Sequence, residues 1–281
     1  MDRKRELYIR GLIRSVYNKP SRASFFFDEV SSRLEDRLEF INLLPSSILC
    51  LGVGNNSIAD RYPKARSLVY ADVSSTRLRF WERPKKSSWF ARDRVTFAEV
   101  SQLALPFRPR SFQLIYSNLM FPLLFGLDDL REHIRILSSL LQPGGLLIFS
   151  TLGPGTLGEL NTDQAGRTFR VNDAIDLHEI GDMLVAEGLA DPVMEMEELT
   201  LTYKNLLSLL RDLKNHGSYA KEPLREKSLM GQRKFAELSS VFLEASQGTP
   251  KATFELIIGH AWRPDQVLQM GDKKTIPIKA I

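Results

Sequence analysis

The chain has 281 residues, 43% of them hydrophobic, with a net charge of +4 and one cysteine. That suits one large domain, or a core domain with a smaller appendage, and excludes an internal disulfide framework. Four scattered histidines (His133, His178, His216 and His260) lack metal-ligand spacing, and no apolar run approaches the ~20 residues that span a bilayer.

The start, MDRKRELYIRGLIR, lacks the apolar region of a signal peptide, so a cytoplasmic protein is expected. Basic residues cluster from Met1 to Arg22 and again at Arg77, Arg79, Arg83, Lys85, Lys86, Arg92 and Arg94, interleaved with Trp81, Trp89 and Phe90. They read as solvated faces or as a contact for an acidic partner, and no nucleic-acid module accompanies them. Each histidine reads as a surface or satisfied side chain.

In chain order, Ile48 to Leu51 forms a short apolar run stopped by Gly52-Val53-Gly54, which suits a buried parallel strand ending in a tight turn. A helix follows, and the next run, Ser67 to Tyr70, leads to Asp72, eighteen residues after Gly54. Strand, glycine turn, helix, strand and acid make the plan of a nucleotide-cofactor site. The glycines let backbone approach the ligand, and the acid accepts from ribose hydroxyls. Position 57 carries Ser57 rather than a third glycine, so a dinucleotide fingerprint is incomplete, and the plain alternative is a tight turn followed by a surface acid.

Val95 to Ala98 reads as a third strand and Phe112 to Ser117 as a fourth. Leu127, Leu130, Ile134, Leu137 and Leu141 then mark one helix face, stopped by Pro143-Gly144-Gly145 before a fifth strand at Leu146 to Ser150. This alternation predicts a parallel sheet with helices on both faces, with Gly52 to Gly54, Asp72, Ser101 and Ser117-Asn118 converging at the strand ends. The glycine- and threonine-rich stretch from Thr151 to Ala165 reads as a flexible crossing over the cleft. Helical faces follow at Leu177, Ile180 and Leu184, at Leu206, Leu207, Leu210 and Leu213, and over Lys234 to Ala245. A late strand spans Thr253 to Trp262, and the polar stretch from Asp265 to Ile281 reads as frayed.

Seven segments carry a resemblance: LALPF (103–107), SNLM (117–120), LQPGGLLIFSTLGPGTLGEL (141–160), DLHEIGDML (176–184), ADPVMEMEELTLTY (190–203), LLRDLKNHG (209–217) and ATFELIIGHAW (252–262). Together they resemble the class I S-adenosylmethionine methyltransferases and, more narrowly, the malonyl-acyl-carrier-protein O-methyltransferases of biotin synthesis. The resemblance implies an α/β, Rossmann-like fold with a mostly parallel central sheet, helices on both faces and helical additions over the cleft. It divides the chain into a helical cover (1–45), a methyltransferase-like domain (46–262, with a helical insertion at roughly 160–250) and a polar tail (263–281). S-adenosylmethionine is the implied cofactor and a malonyl-loaded acyl carrier protein the implied partner, with no nucleic acid and no metal. Gly52, Gly54, Asn56, Asp72, Ser101 and Asn118 fall at cofactor positions, and Tyr17 and Arg170 are the substrate candidates. No catalytic base is assigned, because a malonyl carboxylate is already ionised at neutral pH.

The chain departs from the family pattern where ligand contacts are expected. The acid that ends the first strand is Cys50, the third glycine is Asn56, and the adenine-side acid is Ser101. Pro122-Leu123-Leu124 replaces a Gln-Trp-Cys, and Asp173-Ala174 stands where an Arg-Phe pair is expected, with Arg170 or Arg167 nearby. The usual Tyr-Asp of the amino-terminal cover is not evident, although Tyr17 or Phe25 to Phe27 suit the same space. Two functions therefore stand side by side: an active methyltransferase, or a catalytically inactive methyltransferase-fold protein acting as a binding or regulatory partner. A third, the chemistry of a relative tied to respiratory complex I assembly and arginine hydroxylation, has no iron-ligand constellation to support it.

Overall fold

The computed structural model describes residues 25–52, 58–75, 78, 94–124, 126–160, 174–216 and 231–265. Their frame is a seven-stranded sheet: β1 (Ser47–Leu51), β2 (Ser67–Asp72), β3 (Val95–Glu99), β4 (Phe112–Asn118), β5 (Leu141–Leu152), β6 (Ala190–Thr202) and β7 (Lys251–Trp262). The order across the sheet is β3-β2-β1-β4-β5-β7-β6. The first five strands run parallel, and β7 is antiparallel to both neighbours.

Alternation along each central strand feeds two separate cores. Ile48 and Cys50 of β1, Leu68 and Tyr70 of β2, and Leu114 and Tyr116 of β4 face one layer. Leu49 and Leu51, Val69 and Ala71, and Ile115 face the other. Burial on both faces is why these strands read as unbroken apolar runs.

The first layer is covered by α1 (Phe25–Glu39), α5 (Leu206–His216) and α6 (Gln232–Ala245), and the second by α3 (Gly126–Leu140) and α4 (Leu177–Ala186); a short α2 (Ile58–Arg61) follows β1. Helix α1 buries Phe26, Val30, Leu34 and Leu38, four residues apart and so on one stripe. The Phe26 ring lies 4.5 Å from that of Phe254 on β7, and Ser31 Oγ and Tyr116 Oη share a buried hydrogen bond of 2.8 Å. On the rim of α1, Arg33 pairs with Glu29 and Glu197, and Arg37 with Glu195.

The expected mostly parallel sheet with helices on both faces is what forms, and three local expectations change. Leu127 sits in the first turn of α3 and is exposed, and the buried stripe instead runs through Leu130, His133, Ile134 and Leu137. In α5, Leu209 rather than Leu207 shares the core with Leu206 and Leu213, the spacing a 3.6-residue period demands. Within 160–250 the described residues include β6, a strand the periodicity did not single out. It is a sheet edge whose one well-buried side chain is Leu199, and its Met-Glu alternation leaves little apolar pattern.

Where β5, β6 and β7 meet, Gly259 has no room for a side chain. A Cβ there would lie 2.5 Å from Phe149 Cζ and 2.6 Å from Met194 Sδ. Gly259→Ala is expected to cost about 1–3 kcal/mol through overpacking, read as a lower urea midpoint at unchanged slope. A midpoint equal to wild type would mean that Met194 and the Phe149 ring yield freely.

Candidate functional site

Three of the candidate residues meet at the carboxyl ends of β1, β2 and β4. The chain reverses its direction of winding between β1 and β4, which places a crevice outside these strand ends. Gly52 follows β1 with φ +76°, and its N–H donates to the Ala71 carbonyl at 3.2 Å. A Cβ at Gly52 would overlap the Asn118 carbonyl oxygen and press on the Met120 side chain, so β1 and β4 approach here as only glycine allows.

Asp72 ends β2 fully buried, and its Oδ1 accepts from the Ser74 N–H at 2.9 Å, a turn that fixes the carboxylate's aim. Its carbonyl accepts from the Val100 N–H at 3.0 Å, which brings Ser101 to the same end of the sheet. Ser101 is half-buried and closes a small bridge with Ala104.

Asn118 is fully buried and hydrogen-bonded through both ends of its amide. Its Oδ1 accepts from Ser150 Oγ at 2.9 Å, its Nδ2 donates to the Phe27 carbonyl at 3.4 Å, and Ser150 Oγ in turn accepts from the Leu119 N–H. The amide thus ties β4 to β5 and to the start of α1. Beside it, Ser117 Oγ is buried without a hydrogen-bond partner, one residue from Asn118 and in register with Leu51. Cys50, where the family pattern has an acid, is completely buried; burial pushes its thiol pKa far up and keeps it neutral. Gly54, Asn56, Tyr17 and Arg170, and the basic residues Lys85 and Lys86, lie outside the described residues.

Three residues that spacing did not reveal hold this end of the sheet together. His133 Nδ1 lies 2.7 Å from the Gln102 carbonyl, which accepts, so Nδ1 carries the proton. Gln102 Nε2 donates to the Met120 carbonyl at 3.0 Å, and Met120 packs on Gly52. The chain from α3 through the 101–104 turn to Gly52 is therefore continuous. Its one trace in the sequence is a histidine inside the apolar stripe of α3.

The crossing after β5, expected to be flexible, is pinned over Gly153 to Leu160. The Gly153 N–H donates to the Glu255 carbonyl and the Leu157 N–H to the Thr253 carbonyl. Among the described residues, no group of three His, Cys, Asp or Glu is placed to hold a metal ion, and no helix is long and apolar enough to cross a membrane.

A family profile described as a methyltransferase domain matches residues 49–149. The chain is 36% identical over 249 residues to a malonyl-[acyl-carrier protein] O-methyltransferase of Gallionella capsiferriformans, covering 84% of this chain and 83% of that protein. It is 31% identical over 262 residues to the same enzyme of Legionella pneumophila, covering 90% and 89%. Among solved structures it is similar to the YcgJ protein of Bacillus subtilis, with a TM-score of 0.56 at 14% identity over 84% of this chain and 99% of that one, a likeness of fold.

Burial drives the His133 pKa down to about 4, only partly opposed by its bond to the Gln102 carbonyl, whereas the same side chain titrates near 6.5 when unfolded. The unfolded chain therefore takes the proton first as pH falls. The contribution of neutral His133 is complete above pH 6.5, declines from there to about pH 4, and is constant below. The decline amounts to about 3 kcal/mol. His133→Gln, which keeps a donor for the Gln102 carbonyl, is expected to flatten that part of the profile in urea melts at pH 4 to 7; an unchanged slope would place the titration elsewhere.

Proposed function

We propose that this chain, which belongs to the malonyl-[acyl-carrier protein] O-methyltransferase family, transfers a methyl group from S-adenosylmethionine to the free carboxylate of a malonyl thioester carried by an acyl carrier protein. The observation that carries this reading is the acid of Asp72, held at the end of β2 beside the Gly52 turn, in a chain that spans most of its relatives' length. We place the protein in the cytoplasm, and read residues 46–262 as the methyltransferase-like domain under a cover formed by 1–45.

The donor set suits the nucleoside half of the cofactor. On this reading Asp72 accepts from the ribose hydroxyls, Gly52 lets the main chain come close, and the Ser101–Gln102 turn faces the adenine; the buried Asp72 carboxylate and the close approach at Gly52 support it. Unpaired Ser117 Oγ adds a buried polar atom at the same strand ends. When bound, S-adenosylmethionine supplies an electrophilic methyl on a sulfonium. The malonyl carboxylate needs no base, so the chain's work is to align it, exclude water and offset its charge. Phe26, Phe27 and Leu119 are buried where α1 meets β4 and supply apolar closure. Arg170 is our candidate for holding the malonyl carboxylate, and Tyr17 is the second substrate candidate.

At the methionine end Cys50 offers a neutral thiol in place of a carboxylate. A lost charge-assisted contact costs roughly 1.5–3 kcal/mol, which weakens binding about tenfold to a hundredfold unless Asn56 or another group compensates.

Calorimetric titration with S-adenosylmethionine and S-adenosylhomocysteine is expected to give micromolar binding that Asp72→Ala weakens by at least about tenfold, alongside methylation of malonyl-acyl carrier protein. No binding at millimolar ligand would overturn the catalytic reading and favour a non-catalytic binding partner. If the basic cluster docks the acidic carrier, Lys85→Glu/Lys86→Glu raises KM for the carrier by about tenfold and steepens no other parameter; an unchanged carrier affinity would remove that docking face.

A further inference from the structure

We infer that Glu255 is a positioning residue for the methyl-acceptor half of the site, acting by clamping the Gly153–Leu157 turn that follows β5. The assignment to the acceptor half rests on the methyl-transfer reading above. Glu255 lies on β7 one residue before Leu256, the partner of Leu152 at the end of the β5–β7 ladder. From there it holds the turn with both main chain and side chain. Its carbonyl accepts from the Gly153 N–H at 2.8 Å, its Oε2 accepts from the Gly155 N–H at 2.8 Å, and its N–H donates to Thr156 Oγ1 at 3.2 Å. Thr156 Oγ1 donates in return to the Glu255 carbonyl at 3.3 Å.

The two glycines follow from that carboxylate. A Cβ at either Gly153 or Gly155 would overlap the Glu255 carboxylate, so the GlyProGly of the turn and a glutamate one hundred residues later form one unit. The turn then carries Leu157 at φ +59°, a left-handed conformation unusual for leucine. It persists because the Leu157 N–H donates to the Thr253 carbonyl at 2.7 Å and its side chain is buried in the same core as Phe254 and Phe26. Strained backbone that its surroundings over-determine marks sites where position matters.

Position separates this clamp from the nucleotide half. Gly52 and Asp72 end β1 and β2, whereas Gly153 leaves β5 two residues past Thr151, beside the Asn118–Ser150 bond. On the methyl-transfer reading the acceptor approaches from this side, since β5 lies across β1 and β4 from the ribose acid on β2. Phe254, next to Glu255, meets Phe26 of α1, so Thr253 to Glu255 anchors both the turn and helix α1.

The test uses the full chain with Glu255→Ala, Glu255→Gln and Gly155→Ala, the last displacing the carboxylate without removing it. Three quantities are read: amide exchange over 152–158, affinity for S-adenosylhomocysteine, and KM for malonyl-acyl carrier protein. Glu255→Ala is expected to speed exchange in the turn at least about tenfold and to raise KM about tenfold, with S-adenosylhomocysteine affinity within twofold of wild type. Gly155→Ala shifts the same two quantities, and Glu255→Gln, which keeps an acceptor oxygen, restores both. Unchanged exchange in Glu255→Ala overturns the clamp, and parallel loss of nucleoside and acceptor binding reduces it to a stability effect. A wild-type chain that binds S-adenosylhomocysteine but never methylates the carrier overturns the acceptor assignment, while the exchange difference still decides whether the clamp exists.

Discussion

The close approach of Gly52 to the carbonyl of Asn118 sets the geometry of the strand ends around it. A side chain at that point would force β1 away from β4, and the ladder that pairs Leu51 with Ser117 would open. Met120 then could not pack on the turn, and the Gln102 amide that holds its carbonyl would lose its purchase. His133 stands at the far end of this series, buried, neutral and bonded to Gln102. One missing Cβ is thus supported by a helix on the other side of the 101–104 turn, and that turn borders Asp72.

Charge is distributed unevenly over this frame. The strand-end acid is Asp72 on β2, whereas near the end of β1 Cys50 carries a thiol that burial keeps neutral. Ion pairs lie instead on the rim, where Arg33 and Arg37 of α1 meet Glu195 and Glu197 of β6. These pairs are partly exposed, and each contributes no more than about 1 kcal/mol. The apolar stripe of α1 does the larger part of holding it to the sheet, and the arginines set its register against β6.

Strands β1, β2, β4 and β5 were legible because burial on both faces makes them apolar throughout, and glycine or acid punctuation marks their ends. Asp72 was legible for the same reason: an acid at the end of such a run has no role in the core. Asn118 was legible as a strand-end residue but its hydrogen bonds were not, because only the fold brings Ser150 and the Phe27 carbonyl to its amide. Strand β6 was missed, since an edge strand with one well-buried side chain writes little pattern into its sequence. Leu207 and Leu209 differ by two places in a run of leucines, too little for composition to tell which faces inward.

Glu255 was invisible for a reason that belongs to the topology. Because β7 runs against β5, its early residues lie at the carboxyl end of the parallel strands, where ligands bind, although they come late in the chain. A parallel strand in that place would present its last residues there instead, and Thr253 to Glu255 would sit at the opposite end of the sheet. The single reversal of direction therefore delivers an acceptor-rich stretch of β7 to the turn after β5 and to the start of α1 at once. It also explains why the turn needs two glycines: a carboxylate arriving from a neighbouring antiparallel strand must pass through the space their side chains would fill.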